Sequence, residues 1–319
     1  MSIDVIAAEC PGPPTVLRPS TAALPHPGPS QVRVRVLTAG VTFADVLTRQ
    51  GSPLVPAAEF PTILGNSVGG IVEAVGDNVS SRLLGAVVAT STGGSGGYAS
   101  HTLASAADVH RVPPYLPIED ATALLADGRT ALGMHRAAHV GKGETVVVTA
   151  AAGGVGGLLI QLAKLSGANV AALAGSQRKL VHARTLGADI AHDYRQAGWE
   201  HHLAKEIGQV DVLFDGVGGR VSDRLLALMS DGARLISYGA AGGQRRLVNP
   251  DLLPQRGITF VDLSALRGVD HFQLIEQAFA LHERGLRVPI GQHFPLTKAA
   301  EAHALMESRG TIGKTILHP

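Results

Sequence analysis

The run Val146-Val-Val-Thr-Ala-Ala-Ala-Gly-Gly-Val-Gly-Gly157 constrains this chain more than any other segment. Its uncharged start reads as a buried strand, and Leu158, Leu159, Leu162 and Leu165 follow at helical spacing. The backbone must turn sharply between them. Gly153 and Gly154 permit the turn without a Cβ clash, and Gly156 lets the helix pack closely on the sheet. Free N–H groups at the helix start then face a pyrophosphate, aided by the helix dipole. The first glycine of a G-x-G-x-x-G pattern is Ala151 here. A glycine-rich turn with no ligand has the same local form. The strand before it, the helix after it and the alternating unit it opens favour the phosphate reading.

Strands and helices go on alternating. Glu144–Thr149, Asn169–Ala174, Val210–Asp215, Ala233–Tyr238 and Ile258–Leu263 read as strands. Val155–Ser166, Gln177–Leu186 and Arg220–Met229 read as helices, after an Ala/Leu-rich helix over Ile118–His139. This order implies a parallel sheet with crossover helices. NAD-selective sites place an acid near the end of the second strand, for the ribose 2′-OH. Here Gly175-Ser-Gln-Arg-Lys179 follows that strand and holds no acid. Ser176 can hydrogen-bond a phosphate and Arg178 and Lys179 can neutralise it, which favours NADP(H) over a merely solvated basic turn.

The first third has a different texture. Gln31–Thr38 alternates strictly, with Val32, Val34 and Val36 on one face and Arg33 and Arg35 on the other, as a half-buried strand does. Gly69–Val75, Ala86–Thr90 and Tyr98–Leu103 are further strands around the glycines 93–97. Residues 121–270 therefore read as a sheet domain inserted between 1–120 and 271–319, which form a second, β-rich domain together.

Composition closes off other classes. Lys+Arg number 27 and Asp+Glu 26, a net charge of +1, so the chain lacks the clustered positive charge that nucleic acid binding needs. The single cysteine, Cys10, fits a reducing cytosol and excludes a Cys-rich zinc site. Met1–Glu9 has no basic n-region. The apolar stretch Val146–Ala163 is broken by four glycines and reads as strand, turn and helix rather than a membrane span. The expectation is a cytoplasmic protein without nucleic acid or membrane partners.

The order of Gly40-Val-Thr-Phe-Ala-Asp45, Phe60-Pro-Thr-Ile-Leu-Gly65, Gly69-Gly-Ile-Val-Glu-Ala-Val-Gly76, Ala151-Ala-Gly-Gly-Val-Gly156, Val210-Asp-Val-Leu-Phe-Asp215 and a tail with Phe294-Pro-Leu, Glu301-Ala-His303 and Gly313-Lys314 covers nearly the whole chain. In this order the chain resembles the zinc-independent quinone oxidoreductase branch of the medium-chain dehydrogenase/reductase superfamily. The resemblance implies a Rossmann-type doubly wound parallel sheet inserted in a β-rich GroES-like catalytic domain, with NADPH as cofactor and a homodimer paired through Ile258–Leu263. It places Gly153, Gly154, Val155 and Gly156 on the pyrophosphate, and Ser176, Arg178, Lys179 and Tyr194 around the 2′-phosphate. Gly239, Leu263 and Ser264 would line the nicotinamide side, with Thr130 on the ribose or nicotinamide. Gly216 stands where many relatives carry an asparagine. Tyr194 is equally readable as a partly exposed ring at a strand end.

Zinc-dependent members need a Cys/His ligand set, and catalytic zinc needs three protein ligands. The corresponding segments here read Val41-Thr42 and Gly65-Asn66-Ser67. His135 and His139 have i,i+4 spacing without the glutamate of a zincin. No metal is expected at the catalytic position. Gly65-Asn-Ser67-Val-Gly69 and Gly93-Gly-Ser95-Gly-Gly97 match G-x-S-x-G, but each precedes a strand-like run, whereas a nucleophile elbow needs a helix there.

Without a Lewis acid, the acceptors that fit are quinones and α,β-unsaturated carbonyls, whose developing anions need hydrogen-bond donors. Thr42, Asp45, Asn66 and Ser67 are the polar candidates, and Asp45 is equally readable as a cap of the helix around Ala44–Gln50. The function expected is an NADPH-dependent reductase of a small-molecule quinone or enone. The alternatives are an enoyl-thioester reductase and a non-catalytic NADPH-binding sensor.

Overall fold

Six strands form one wholly parallel sheet in the order Ile190–Asp193, Asn169–Ala174, Thr145–Val148, Val210–Asp215, Met229–Ser237, Thr259–Asp262. In chain order this is 3-2-1-4-5-6, the doubly wound order whose switch point lies between the first and fourth strands. Both faces are covered, so the strands read as near-continuous apolar runs. Val147, Leu173, Leu213 and Leu235 are buried with Trp199, Leu203 and Leu225 in a single cluster. The computed structural model describes residues 1–243 and 252–319.

The chain divides into two units. One is Met1–Ala126 with Ile275–Arg284 and Ile290–Pro319, and the other is Asp127–Leu274 with Gly285–Pro289. The division runs through the helix His271–Glu283. The sheet above belongs to the second unit.

The first unit is a β-rich domain. Its main sheet runs Ile290–Pro295, Lys314–His318, Gln31–Val41, Ser67–Val75, Val87–Ser91, Val109–Arg111, and His101–Ser105 also pairs with Gln31–Val41. The pairings are antiparallel except that of Ile290–Pro295 with Lys314–His318. The alternation in Gln31–Val41 follows burial: Val32, Val34 and Val36 enter the core, while Arg35 bonds the Glu73 carboxylate at 2.9 Å on the wetter face. A small sheet of Leu17–Ala23, Ser2–Ala8 and Thr62–Ile63 completes the unit.

Three features depart from the sequence reading. The helix expected over Ile118–His139 is broken into Ile118–Ala123, a π turn over Leu124–Gly128 and Arg129–Ala138. Asp127-Gly128 at the end of the π turn is the local mark of the break, outweighed by the helix preference of the alanines and leucines around it. The short strand Ile190–Asp193 and the helix Trp199–Ile207 had no periodic signal long enough to read. The N-terminal hairpin Ser2–Ala8/Leu17–Ala23 was hidden by its prolines and polar outer positions. Among the described residues no helix is long and apolar enough to cross a membrane.

Candidate active site

Because all six strands run the same way, the residues that follow them gather at one edge of the sheet. Gly153 follows the first strand, Ser176 the second, Tyr194 the third, Gly216 the fourth, Gly239 the fifth, and Leu263 and Ser264 the sixth. This is the edge at which doubly wound sheets bind ligands. Topology therefore brings these seven residues to one rim of the second unit.

The turn at the centre of that rim is built by close approach. Gly153 caps the helix Gly154–Leu165 with no side-chain bond, and its amide closes a turn onto the Ala150 carbonyl at 2.9 Å. A Cβ on Gly156 would lie 2.4 Å from the Ala150 oxygen, so only glycine lets the helix seat on the turn. The left-handed residue is Ala150, at φ 49°, and Gly153 has an ordinary φ of −82°. This corrects the expected role of Gly153: it supplies room, and the unusual backbone angle falls on an alanine. A Cβ on Gly154 would lie 1.9 Å from Asp127 Oδ2. The π turn Leu124–Gly128 thus presses Asp127 against the helix start and sets Thr130, three residues on, in the first turn of Arg129–Ala138. The cradle is a space that side chains would fill, which fits a pyrophosphate.

At the second strand's end, Ser176 caps the helix Gln177–Thr185 from an extended conformation and makes no capping bond, leaving its hydroxyl to other partners. Arg178 is exposed and Lys179 half-buried on the first turn. The Tyr194 hydroxyl lies 3.1 Å, and Arg195 Cδ 3.5 Å, from where a Gly175 Cβ would stand. The Tyr194 ring also packs, half-buried, against the core cluster, as a ring at a strand end does. Arg195 holds Asp193 through two bonds of 2.9 and 3.1 Å, which keep the Asp193 carboxyl below its ordinary pKa. The acid that ends the third strand is therefore already paired.

At the switch point, Thr149 and Asp215 tie the fourth strand's turn to the first strand. Thr149 Oγ1 donates to Asp215 Oδ1 at 2.8 Å and accepts from the Gly216 amide at 2.9 Å, while Ser222 donates to Asp215 Oδ2. The Tyr238 ring covers Gly216: a Cβ there would lie 2.5 Å from Cζ. An asparagine in this position would collide with that ring, which accounts for the glycine. Burial, then the nearby Asp215, pushes the Tyr238 phenol well above its ordinary range, so it stays protonated and donates to the Thr149 carbonyl. Gly239 passes over the same turn, 3.0 Å from its Cβ position to the Gly216 oxygen. Leu263 is exposed, and the Ser264 amide donates to Asp262 at 2.8 Å.

The first unit brings Thr42, Asp45, Asn66 and Ser67 together around one loop. Thr42 caps the helix Phe43–Gln50 in a reciprocal capping box. Its hydroxyl donates to Asp45 Oδ2 at 2.6 Å, its amide donates to the same oxygen at 2.7 Å, and Asp45 Oδ1 accepts from the Gly65 amide at 3.3 Å. Burial raises the Asp45 pKa, while the Thr42 bonds and Lys314 oppose the rise. Gly65, at φ 93°, lies under the Tyr98 ring, whose hydroxyl meets His303 Nε2 at 3.0 Å, and Arg49 Nε donates to His303 Nδ1 at 3.3 Å. The loop is thus held from below by Asp45 and from behind by Tyr98.

Asn66 is placed differently. Its Oδ1 accepts from the Gly94 amide at 2.7 Å, the Thr92 amide at 3.2 Å and Ser91 Oγ at 3.3 Å. Three donors on one oxygen fix the amide orientation. Nδ2, with no partner among the described residues, is left as a donor. Ser67 is buried within the sheet, opposite Gly40 and Ser91. Neither Ser67 nor Ser95 leads into a helix, so neither forms a nucleophile elbow. His135 bonds Ser166 at 3.0 Å and His139 is a left-handed helix cap, so these two serve separate local purposes.

Known proteins carry this arrangement. Residues 28–114 match the family described as alcohol dehydrogenase GroES-like domain, and residues 186–317 the family described as zinc-binding dehydrogenase. The chain is 34% identical to a quinone oxidoreductase of Pseudomonas aeruginosa, over 97% of both chains. It belongs to the quinone oxidoreductase branch of the medium-chain dehydrogenase/reductase superfamily. It is also 31% identical to a 2-haloacrylate reductase of a Burkholderia species, over 92% of both chains. The crystal structure of Escherichia coli quinone oxidoreductase complexed with NADPH superposes with a TM-score of 0.90 at 27% identity, over the full length of each chain. The family is one of NAD(P)-binding oxidoreductases.

Within that family frame, four residues escaped the sequence reading. Asp127 and Tyr238 shape the rim, and only their neighbours' glycines hinted at them. Arg195 adjoins Tyr194 in the turn that follows a strand, Ile190–Asp193, that was not read. Lys314 is buried, with its Cε 3.0 Å from a Gly40 Cβ position and its charge felt by Asp45. Its signal was the Gly313-Lys314 landmark.

Proposed function

We propose that this protein is an NADPH-dependent reductase that passes hydride to a quinone or α,β-unsaturated carbonyl without zinc. The observation that carries the cofactor reading is the corner at Gly175, where Tyr194 and Arg195 approach, Ser176 and Lys179 open the next helix, and Asp193 is paired with Arg195. A 2′-phosphate there finds charge-assisted donors, whereas a ribose diol finds no carboxylate acceptor. The Gly153–Gly156 segment holds the pyrophosphate with backbone N–H groups. Arg178 adds long-range attraction, and Thr130, Gly239, Leu263 and Ser264 border the nicotinamide end.

The bound dinucleotide supplies the hydride. In the first unit Asn66 Nδ2 donates to the acceptor oxygen as negative charge develops on it. The Thr42 hydroxyl is already engaged as a hydrogen-bond donor to Asp45, so both act by holding the Gly65-Asn66 loop, with Ser67 anchoring it to the sheet. Solvent then protonates the product. Zinc independence rests on the residues at the ligand positions: Val41-Thr42 and Gly65-Asn66-Ser67 offer no imidazole or thiolate. The similarity to a 2-haloacrylate reductase supports an activated C=C bond as acceptor alongside quinones. We read the protein as a cytoplasmic homodimer, paired through Thr259–Asp262, which ends its sheet and exposes Phe260.

The test is NADPH oxidation with a small quinone, an alkyl enone and an enoyl thioester, with NADH as control. Turnover that prefers NADPH and one of the first two acceptors supports the reading. Preference for the thioester moves it to a biosynthetic enoyl reductase. NADPH binding without turnover on any acceptor supports a sensor.

A further inference from the structure

Glu119, His293 and His318 lie far apart in sequence and meet at one point of the first unit. His293 Nδ1 and His318 Nε2 are 3.1 Å apart, and Glu119 Oε1 lies 3.7 Å from the first and 3.6 Å from the second. Tetrahedral zinc with bonds of about 2.0–2.1 Å holds its ligand atoms about 3.3–3.4 Å apart. The triangle of donor atoms therefore already has nearly the size of one face of a zinc tetrahedron.

The fold sets this geometry. Ile290–Pro295 and Lys314–His318 are parallel neighbours, with His293 opposite Ile316 and Pro295 opposite His318. His293 and His318 thus project from the same face, two positions apart along the strands. Their rings stack at 5.4 Å between centroids with 22° between planes. The helix Ile118–Ala123 brings Glu119 across from its first turn. The three side chains are 49%, 35% and 37% exposed in the order His293, His318, Glu119, so an ion can enter and keep a fourth position for water.

We propose that Glu119, His293 and His318 form a binding site for a divalent transition cation of the zinc type, separate from the reductase site. Two imidazoles and one carboxylate suit zinc, cobalt, nickel or copper and give calcium or magnesium no preference. The ion clips the outermost strand, Ile290–Pro295, to its neighbour and to the helix Ile118–Ala123. It is remote from the substrate loop: Leu317 pairs with Ala39, and His318 extends beyond it, away from Thr42. Along Gln31–Val41 the interval from Thr38 to Thr42 alone spans about 13 Å. The ion's role is to secure the sheet edge, and the catalytic positions keep their lack of metal ligands.

The test uses full-length protein stripped with a chelator and then dialysed free of it. Zinc chloride is titrated by calorimetry, cobalt(II) is followed by its visible absorption, and hydrogen exchange is measured with and without zinc. One ion per chain is expected, with a four-coordinate cobalt spectrum and added protection confined to residues 290–295, 314–318 and 118–123. His293→Ala and His318→Ala should each weaken zinc by about tenfold or more, since each removes a direct ligand. Unchanged affinity in both variants, or no stoichiometric uptake by the wild type, overturns the site. The cluster would then be an imidazole pair sharing a proton beside a carboxylate. Both variants lie outside the reductase machinery, so loss of zinc with normal NADPH oxidation is the signature expected.

Discussion

The rim of the parallel sheet and the loop of the GroES-like unit prepare for their ligands in opposite ways. The rim is shaped by what is missing. Gly154, Gly156 and Gly216 each leave room that a Cβ would take from Asp127, from the Ala150 carbonyl or from the Tyr238 ring. Its donors are mostly backbone amides at a helix start. The loop is shaped by side chains that satisfy one another. Thr42, Asp45, the Gly65 amide and Asn66 Oδ1 are all engaged, and a second layer of Tyr98, His303 and Arg49 backs them. On the proposed function, the cradle of backbone would serve a ligand with constant phosphates, and the loop with one donor left over, Asn66 Nδ2, would serve acceptors that vary in shape and share a single developing oxyanion.

The largest effect that would break this contrast is expected from Gly154→Val. Its side chain would overlap Asp127, and NADPH affinity should fall by more than about 100-fold, or roughly 3 kcal/mol. Near-normal NADPH binding by fluorescence titration would show that the cradle tolerates bulk and is not formed by close approach. Next is Asn66→Ala, which should lower kcat by about 100-fold, the scale for removing one donor to a developing anion. NADPH affinity should be unchanged. A fall in affinity in place of kcat would assign Asn66 to binding and blur the division between the two regions.

Lys179→Ala sharpens the rim's half of the comparison. Losing one charge-assisted phosphate contact costs roughly 1.5–3 kcal/mol, so NADPH should weaken about 10- to 100-fold. NADH should weaken little. Equal loss for both at fixed ionic strength would remove Lys179 from the 2′-phosphate corner. The smallest effect concerns the loop's backing. Burial, with Arg49 nearby, pushes the His303 imidazole down to about 3, so it stays neutral when folded. The unfolded chain takes up that proton below about pH 6.5. Its contribution is therefore complete above that pH and is lost as pH falls from about 6.5 toward 3. Thermal unfolding of the wild type should lose stability across this window, and His303→Gln should show a shallower slope. Parallel slopes would mean that other groups govern the acid limb.

Much of the rim was legible because it depends on local rules. A buried strand, a glycine turn and a leucine-spaced helix form one continuous stretch, and repeated alternation implies parallel strands whose ends share an edge. That Ser176 and Lys179 follow the second strand, at the start of the next helix, could be read from that strand's end alone. Tyr194 entered only through family likeness, and Arg195, one residue further on, escaped because the four-residue strand before it carries too little periodicity. The loop was legible only as a set of polar residues. That Thr42 spends its hydroxyl on Asp45 depends on a helix cap, and that Asn66 keeps Nδ2 depends on three donors from residues 91–94.

Local sequence determined the kind of most elements, the parallel sense of the sheet and the basic, acid-free turn after its second strand, since propensity, spacing and charge act over a few residues. Tertiary structure decided the π turn that sets Asp127 on Gly154, the Tyr238 ring over Gly216 and the buried Lys314 beside Asp45. It also brought His293, His318 and Glu119 within bonding distance of one ion. Each of these is a contact between segments distant in sequence, fixed by packing that no local pattern encodes.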